Sequence, residues 1–261
     1  MNGLAGPIRG GSDFLGLYDS VVWGTAQLVA GDGLGGVGFT SVNEGSFAST
    51  VDEPGGILAV TSDTGDDDNA FLTLGKFCPA DGGVVMEARF KYSNVDCAIF
   101  VGFQETIDKA TPVMGAEFAT ATMTYNAVGN VVGFNYDVDG TTDDFRAVAG
   151  DGGAAVAGSG MGTRAMATLT ADRWFTARVS IAPDGTAECY LSDSGHVDTN
   201  GIPQLRLIKR FSGTNAALGT TGLNPADSVF AVLAIENRSA AARVLEVDYL
   251  FAEGNRDWRT T

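Results

Sequence analysis

Apolar and polar residues alternate most clearly in residues 84–105, VVMEARFKYSNVDCAIFVGFQE. Apolar side chains hold every second position of the first half: Val84, Met86, Ala88, Phe90 and Tyr92. Charged side chains lie between them: Glu87, Arg89 and Lys91. This period of two predicts a strand with one buried face. After a turn at Ser93-Asn94, the apolar residues 97–103 predict an adjacent strand that is covered on both faces.

Further strand patterns follow at short intervals. Residues 173–181 and 186–191 are separated by Pro-Asp-Gly, which predicts a hairpin. A second hairpin is predicted with Asp139-Gly140 at or near its bend. Residues 229–235 and 243–251 read as the last two strands. About a dozen such strands separated by turn residues predict an all-β fold, a two-sheet antiparallel jelly-roll sandwich.

The ends of the chain differ from this pattern. Residues 1–45 are glycine-rich and poor in charge, and they predict an extended N-terminal arm that carries Trp23. Residues 46–252 form the predicted sandwich domain, and residues 253–261 form a tail. Because Arg and Trp are enriched at interface hot spots, the predicted interface residues are Trp23, Arg256, Trp258 and Arg259.

Composition restricts the partners. The formal net charge of −16 repels nucleic acid and anionic membranes, so neither is expected as a partner. The N-terminus lacks the basic region and apolar stretch of a secretion signal, and no apolar run is long enough to cross a bilayer. Cys78, Cys97 and Cys189 read as buried free thiols, with a disulfide between two of them as the alternative.

Several segments in this order resemble a known family. They are DDDNAFLTL, VVMEARFKYSNVDCAIFVGF, YDVDGTTDDFRAVA, LTADRWFTARVSIAPDGTAECYL and VFAVLAIENRSAAARVLEVDYLFAEG. Together, over about residues 55–255, they are similar to tailed-bacteriophage structural proteins with a concanavalin A-like (lectin/glucanase) jelly roll. Because such sandwiches host lectins, glycosidases and inert scaffolds alike, the resemblance implies fold more strongly than function.

The resemblance implies a non-enzymatic virion protein. The expected role is capsid decoration, with the chain made in the host cytoplasm and bound to the head surface. The expected partners are the major capsid protein or other virion proteins and further copies of the chain. Buried area summed over many copies would then hold the protein in place. The alternative function is a carbohydrate-binding, lectin-like module on a fibre or tail.

A third function, glycoside hydrolase, would use Glu246 and Asp248. The two carboxylates share one face of a strand, about 7 Å apart. The segment resembles the E-x-D-x-(x)-E motif of laminarinase-like glycosidases, in which Glu246 would match the nucleophile and Asp248 its assisting carboxylate. That motif requires an acid/base glutamate at 250 or 251, where this chain has Leu250 and Phe251. The other face then reads as a core stripe of Leu245, Val247, Tyr249 and Phe251.

Two acidic turns are candidates for Ca²⁺, which prefers several oxygen ligands. The first contains Asp66, Asp67 and Asp68 beside Asn69. The second contains Asp137 and Asp139, followed by Asp143 and Asp144. Both lack the later glutamate of a full calcium loop, so solvated turns are the alternative. Apart from Ca²⁺ we expect no cofactor.

One histidine and several aromatic residues are the remaining candidates for site residues. His196 is the single histidine and has no serine or cysteine motif beside it, which argues against nucleophilic catalysis of the Ser-His-Asp kind. Aromatic residues that could stack on sugars, or instead pack in the core or on a sheet surface, are Trp174, Trp258, Tyr125, Tyr136 and Tyr190.

Overall fold

A computed structural model describes residues 33–34, 39–43, 45–49, 57–107, 112–119, 122–126, 129–140, 145–151, 154–155, 171–193, 204–212 and 223–254. The strands in the first part of the chain are β1 (Gly33–Leu34), β2 (Phe39–Asn43), β3 (Ser46–Ser49), β4 (Leu58–Thr61), β5 (Asn69–Phe77), β6 (Val84–Tyr92), β7 (Cys97–Gln104), β8 (Ala116–Ala119) and β9 (Thr122–Tyr125). The later strands are β10 (Val131–Asp137), β11 (Arg146–Asp151), β12 (Ala154–Ala155), β13 (Phe175–Ile181), β14 (Ala187–Asp193), β15 (Arg206–Phe211), β16 (Val229–Asn237) and β17 (Val244–Gly254). A short 3-10 turn spans Pro79–Asp81.

The described strands form two large antiparallel sheets. The eight-stranded sheet has the order β1-β2-β5-β16-β7-β10-β11-β12, and the seven-stranded sheet has the order β15-β14-β13-β6-β17-β4-β3. This confirms the predicted all-β, two-sheet antiparallel jelly roll. The predicted hairpins are also present, since β10 pairs with β11 and β13 pairs with β14. No helix in the described ranges is long and apolar enough to cross a membrane.

The strands β6 and β7 lie in different sheets, which corrects their prediction as adjacent strands. β6 pairs with β13 and β17, whereas β7 pairs with β10 and β16. The connection at residues 93–96 therefore carries the chain from one layer to the other. Both patterns were interpreted correctly for burial: β6 has a fully buried inner face, and β7 is buried at every position.

The main core lies between the two sheets. It contains the inner residues of β6, including Met86 and Phe90, and those of β7, including Ile99 and Val101. Aromatic rings fill its centre, where Phe145 lies 5.8 Å from Phe90 between ring centroids. This burial of apolar surface is the dominant favourable contribution to folding.

A second, smaller core covers the outer face of the eight-stranded sheet. There Phe71, Phe100 and Val232 pack together with Met114 and Ala116. Met114 precedes the two-stranded sheet β8–β9, and Ala116 is the first residue of β8. The strands β8 and β9 therefore form a separate antiparallel pair that lies across this face. Polar side chains fasten it: Asn135 Nδ2 donates to the Ala116 carbonyl at 2.8 Å, and Gln104 Nε2 donates to the Val113 carbonyl at 2.9 Å.

Part of the predicted arm belongs to the sheets. β1 pairs with β2, and β2 pairs with β5. The boundaries at residues 45 and 252 stay predictions, because the segments on either side are only partly described. Trp23, Arg256, Trp258 and Arg259, the predicted interface residues, lie outside the described residues, as does His196.

Candidate functional site

The outer face of the seven-stranded sheet carries charged side chains that pair across neighbouring strands. We call this surface the ion-pair face. Its paired residues are Glu87, Arg89, Lys91, Arg178, Glu188, Arg210, Glu246 and Asp248. The alternate residues of the same strands, such as Ala88, Phe90 and Val179, belong to the core between the sheets. The period of two in the sequence therefore places these charges outside the sandwich.

The two carboxylates considered for hydrolysis each face a cation. Glu246 Oε2 lies 2.7 Å from Lys91 Nζ, and Asp248 forms an ion pair with Arg89. All four side chains are partly exposed. Lys91 and Arg89 come from β6, which neighbours β17, so the pairing follows directly from strand register. The structure thus places both carboxylates on one face, as predicted, and gives each a fixed basic partner.

A β-bulge in β17 corrects the predicted core stripe. The register of β17 against β6 shifts between Val247 and Tyr249. Beyond this point Leu250 and Ala252 are buried in the core, whereas Tyr249 and Phe251 are only half-buried. A bulge adds one residue to one strand and reverses the sides that the following residues face. The prediction of a buried stripe is confirmed for Leu245 and Val247 and is wrong for Tyr249 and Phe251.

Trp174 lies over the two ion pairs, immediately before β13. The Arg89 guanidinium is 4.4 Å from the centre of the Trp174 ring, and the Lys91 ammonium is 5.2 Å from it. The side chain is half-buried. Of the alternatives given by the sequence, Trp174 therefore covers the sheet surface rather than filling the core. Cation–π contacts of this kind contribute about 0.5–1 kcal/mol each at exposed sites.

Two tyrosines extend the polar network across the sheet. Tyr249 Oη donates to Glu87 at 2.5 Å, and Arg178 Nε donates to the same carboxylate at 2.6 Å. Burial, followed by the Glu87 charge, raises the pKa of Tyr249 well above its usual range. On β14, Tyr190 Oη donates to Glu188 at 2.6 Å. The phenol hydrogen bond, together with Arg210, lowers the pKa of Glu188, so this carboxylate stays ionised near neutral pH.

The second charged cluster lies at one end of the eight-stranded sheet, around Arg238. The guanidinium contacts Asp67 at 2.8 Å and Asp137 at 2.8 Å, and it also forms an ion pair with Glu236. More distant contacts reach Asp139 at 3.7 Å and Glu117 at 3.9 Å. We call these six residues the Arg238 cluster. It joins the two acidic turns that the sequence singled out separately, and it adds three residues that sequence reasoning missed: Glu117, Glu236 and Arg238.

Burial and crowding control protonation in the Arg238 cluster. Only 6% of the Arg238 side chain and 6% of the Glu236 side chain are exposed. Burial raises the pKa of Glu236 to about 7; the charge of Glu117 adds to this rise, and the charge of Arg238 opposes it. Burial also raises the pKa of Glu117 and of Asp139. Although burial alone would lower the pKa of Arg238, the hydrogen bond to Asp137 and the charge of Glu236 hold it above its usual range.

Carboxylate oxygens of the calcium candidates Asp137 and Asp68 accept hydrogen bonds from groups of the protein itself. Asp137 Oδ2 accepts hydrogen bonds from Arg238 at 2.8 Å and from the Phe118 amide at 2.9 Å, while Oδ1 accepts from Arg238 at 3.1 Å and from the Asp139 amide at 3.1 Å. A calcium ion at Asp137 would compete with these donors for the same oxygens. Asp68 accepts from the Gly65 amide within its own turn. In the described ranges no group of three or more His, Cys, Asp or Glu residues is arranged to hold a metal ion. Calcium binding at Asp66, Asp67, Asp68, Asp137 and Asp139 stays a prediction.

The remaining candidates are structural. Tyr136 is fully buried and packs with Tyr92, their ring centroids 5.8 Å apart. Tyr125 is packed against the second core. The three cysteines are buried thiols, as predicted. Burial raises the pKa of Cys97 to about 12, which keeps this thiol protonated and unreactive at neutral pH.

Glu236→Gln is expected to remove a pH dependence of stability. The folded-state pKa near 7 lies above the ordinary 4.5, so Glu236 adds stability that is fully present below pH 4.5 and is lost as the pH rises through 7. In urea denaturation we expect the free energy of unfolding of the wild type to fall relative to the variant by about 1–3 kcal/mol from about pH 5 to pH 8. Glu188→Gln is the control: because the pKa of Glu188 is lowered, this carboxyl group is ionised in both the folded and the unfolded state over this pH range, and no comparable fall is expected. A wild-type-to-variant difference that is constant with pH would contradict the assignment.

Comparisons with known proteins give the fold and no family. No protein-family model matches the sequence, and no curated protein matches it. Among solved structures, peanut lectin has 10% identity and a TM-score of 0.52, covering 96% of this chain and 100% of that chain. A Lotus tetragonolobus seed lectin has 9% identity and a TM-score of 0.50, covering 93% and 100%. A protein of unknown function from Shewanella oneidensis MR-1 has 11% identity and a TM-score of 0.51, covering 95% and 88%. The sandwich is therefore similar to the concanavalin A-like jelly roll of these lectins.

Proposed function

We propose that this chain is a non-catalytic carbohydrate-binding domain that binds glycans through the ion-pair face. The observation that carries the proposal is the pairing of Glu246 with Lys91 and of Asp248 with Arg89, next to Trp174. Sugars offer many hydroxyl groups, which donate and accept hydrogen bonds, together with apolar C–H groups. A surface that combines carboxylates, cations and an aromatic ring matches both. The likeness to two lectins supports this role by analogy of fold.

The same geometry argues against hydrolysis. A glycosidase needs one protonated carboxyl group as acid and a second carboxylate as nucleophile or base. Glu246 and Asp248 instead each face a cation. Of the two positions where the resemblance to laminarinase-like enzymes requires a glutamate, Leu250 is buried in the core and Phe251 is apolar. Neither residue can supply the acid.

The test is a glycan array probed with the full chain, combined with a reducing-end assay on each glycan that binds. We expect binding to at least one glycan and no release of reducing ends. The absence of binding to any glycan would overturn the proposal. Release of reducing ends that is abolished in Glu246→Gln would instead establish the hydrolase alternative.

The capsid role stays a prediction from the sequence resemblance. The virion location, the major capsid protein as partner and a homo-oligomer rest on that resemblance, whereas the likeness to solved structures supports the fold. We propose the virion surface as the location at which this domain would present its ion-pair face. Cryo-electron microscopy of particles with and without the chain checks this: density for the sandwich on the head, tail or fibre would support it, and particles that never carry the chain would contradict it.

A further inference from the structure

We infer that the site on the ion-pair face takes an uncharged sugar ring placed against Trp174. This inference rests on the proposed carbohydrate-binding function and adds the class of ligand and the residue that positions it. Three features of the face support it: the charges around Trp174 balance, the ring is held in place, and hydrogen-bonding groups beside it remain exposed.

The charges beside Trp174 cancel. Arg89 pairs with Asp248, and Lys91 pairs with Glu246, so these four side chains carry no net charge. A site that selects an anionic ligand instead presents cations in excess. Moreover, the whole chain carries a formal charge of −16, which repels an acidic glycan as it approaches. Both observations favour a neutral ligand over one that carries carboxylates or sulfates.

The Trp174 ring is held before any ligand arrives. Arg89 and Lys91 lie 4.4 Å and 5.2 Å from its centre, and both cations are themselves held by carboxylates of β17. A ring fixed in this way loses little conformational entropy on binding, which favours affinity. Because two cations already interact with its π electrons, a cationic aminosugar would gain less from this ring than it would from a free one.

The Arg89–Asp248 pair keeps hydrogen-bonding groups available beside Trp174. About a third of each side chain of the Arg89–Asp248 pair is exposed, 33% and 32%. A guanidinium has five N–H donors and a carboxylate has about four acceptor positions, so one ion pair does not exhaust them. Neighbouring sugar hydroxyls can therefore donate to Asp248 and accept from Arg89 while the C–H groups of the ring pack on Trp174.

The experiment measures binding by isothermal titration calorimetry at low and physiological salt. The probes are neutral oligosaccharides from the glycan array, an acidic oligosaccharide of hyaluronate and a cationic chitosan oligomer. We expect the wild type to prefer a neutral probe and Trp174→Ala to weaken that binding by at least about tenfold, which corresponds to about 1.4 kcal/mol. Trp174→Phe should recover part of the loss. Val113→Ala, which shortens an exposed apolar side chain beside β8, away from the ion-pair face, should bind like the wild type.

A second variant tests the charge argument separately. Glu246→Gln combined with Asp248→Asn leaves Arg89 and Lys91 without their carboxylates, so this protein should bind the acidic probe more tightly than the wild type does. Urea denaturation of every variant shows whether it is folded. If the wild type binds no glycan, the proposed function fails. If it binds but prefers the acidic probe, or if Trp174→Ala binds as tightly as the wild type, the function stands and this inference is overturned.

Discussion

Replacing Arg238 by methionine lowers the free energy of unfolding by about 3–5 kcal/mol, the largest effect we expect from a single charged residue. The Asp137 side chain is fully buried and that of Glu236 is 6% exposed. Without the guanidinium, Asp137 would remain as a buried charge with only amide donors, and Glu236 would lose its cation. The two acidic turns would then repel each other. Urea denaturation at about pH 7 measures the loss.

Two further variants test whether the loss of stability comes from the burial of Arg238 and from its pairing with Asp137. Arg210→Met removes an arginine that also pairs with a carboxylate, Glu188, but whose side chain is 64% exposed, and it should lose less than about 1 kcal/mol. Arg238→Met combined with Asp137→Asn should be less destabilised than the sum of the two single variants, because the buried charge is removed together with its partner. Equal losses for Arg238→Met and Arg210→Met would show that the Arg238 cluster is only a surface network.

Phe145→Ala should lower the free energy of unfolding by about 3–5 kcal/mol, as expected for a large aromatic side chain removed from a core. Phe145 contacts both layers of the sandwich: its ring centroid lies 5.7 Å from Tyr136 in the eight-stranded sheet and 5.4 Å from Phe175 in the seven-stranded sheet. The cavity left by alanine would open between two extended sheets, which cannot collapse locally.

Two matched variants separate the effect of side-chain size at position 145 from the effect of burial. Phe145→Leu keeps most of the apolar volume and should lose less stability than Phe145→Ala. Leu207→Ala shortens a side chain whose residue is 42% exposed, and it should change the free energy of unfolding by less than about 0.5 kcal/mol. A loss for Phe145→Ala no larger than that for Leu207→Ala would show that the ring does not support the core.

The Arg238 cluster and the ion-pair face differ in what their charges do. Asp137, Glu236 and Arg238 are buried, so their pairing is coupled to folding. The Arg89–Asp248 and Lys91–Glu246 pairs of the ion-pair face are partly exposed, and each contributes at most about 1 kcal/mol. Variants of these two pairs should therefore fold, and this separates a loss of glycan binding from a loss of structure.

The fold class and most of the burial follow from the alternation of apolar and polar residues along the chain. The alternation in residues 84–92 gives the inner and outer faces of β6, and the continuous apolar run gives a β7 buried at all positions, because a strand with period two must divide its side chains between two faces. The sequence pattern also placed Glu246 and Asp248 together on an outer face. These features depend on neighbours along one strand, which a sequence pattern records directly.

Features that depend on residues distant in the chain became visible only in the folded protein. The bulge at Asp248 turned Tyr249 and Phe251 outward, since one extra residue reverses every later position and has no sequence signal as strong as alternation. Arg238 lies 171 residues from Asp67 and 101 from Asp137, and three chain segments had to meet before its role was visible. One arginine directly after an apolar strand is a weak signal in the sequence of an acidic chain. Pairing between strands is set by the register of whole sheets, so it is decided by the fold and not by any one segment.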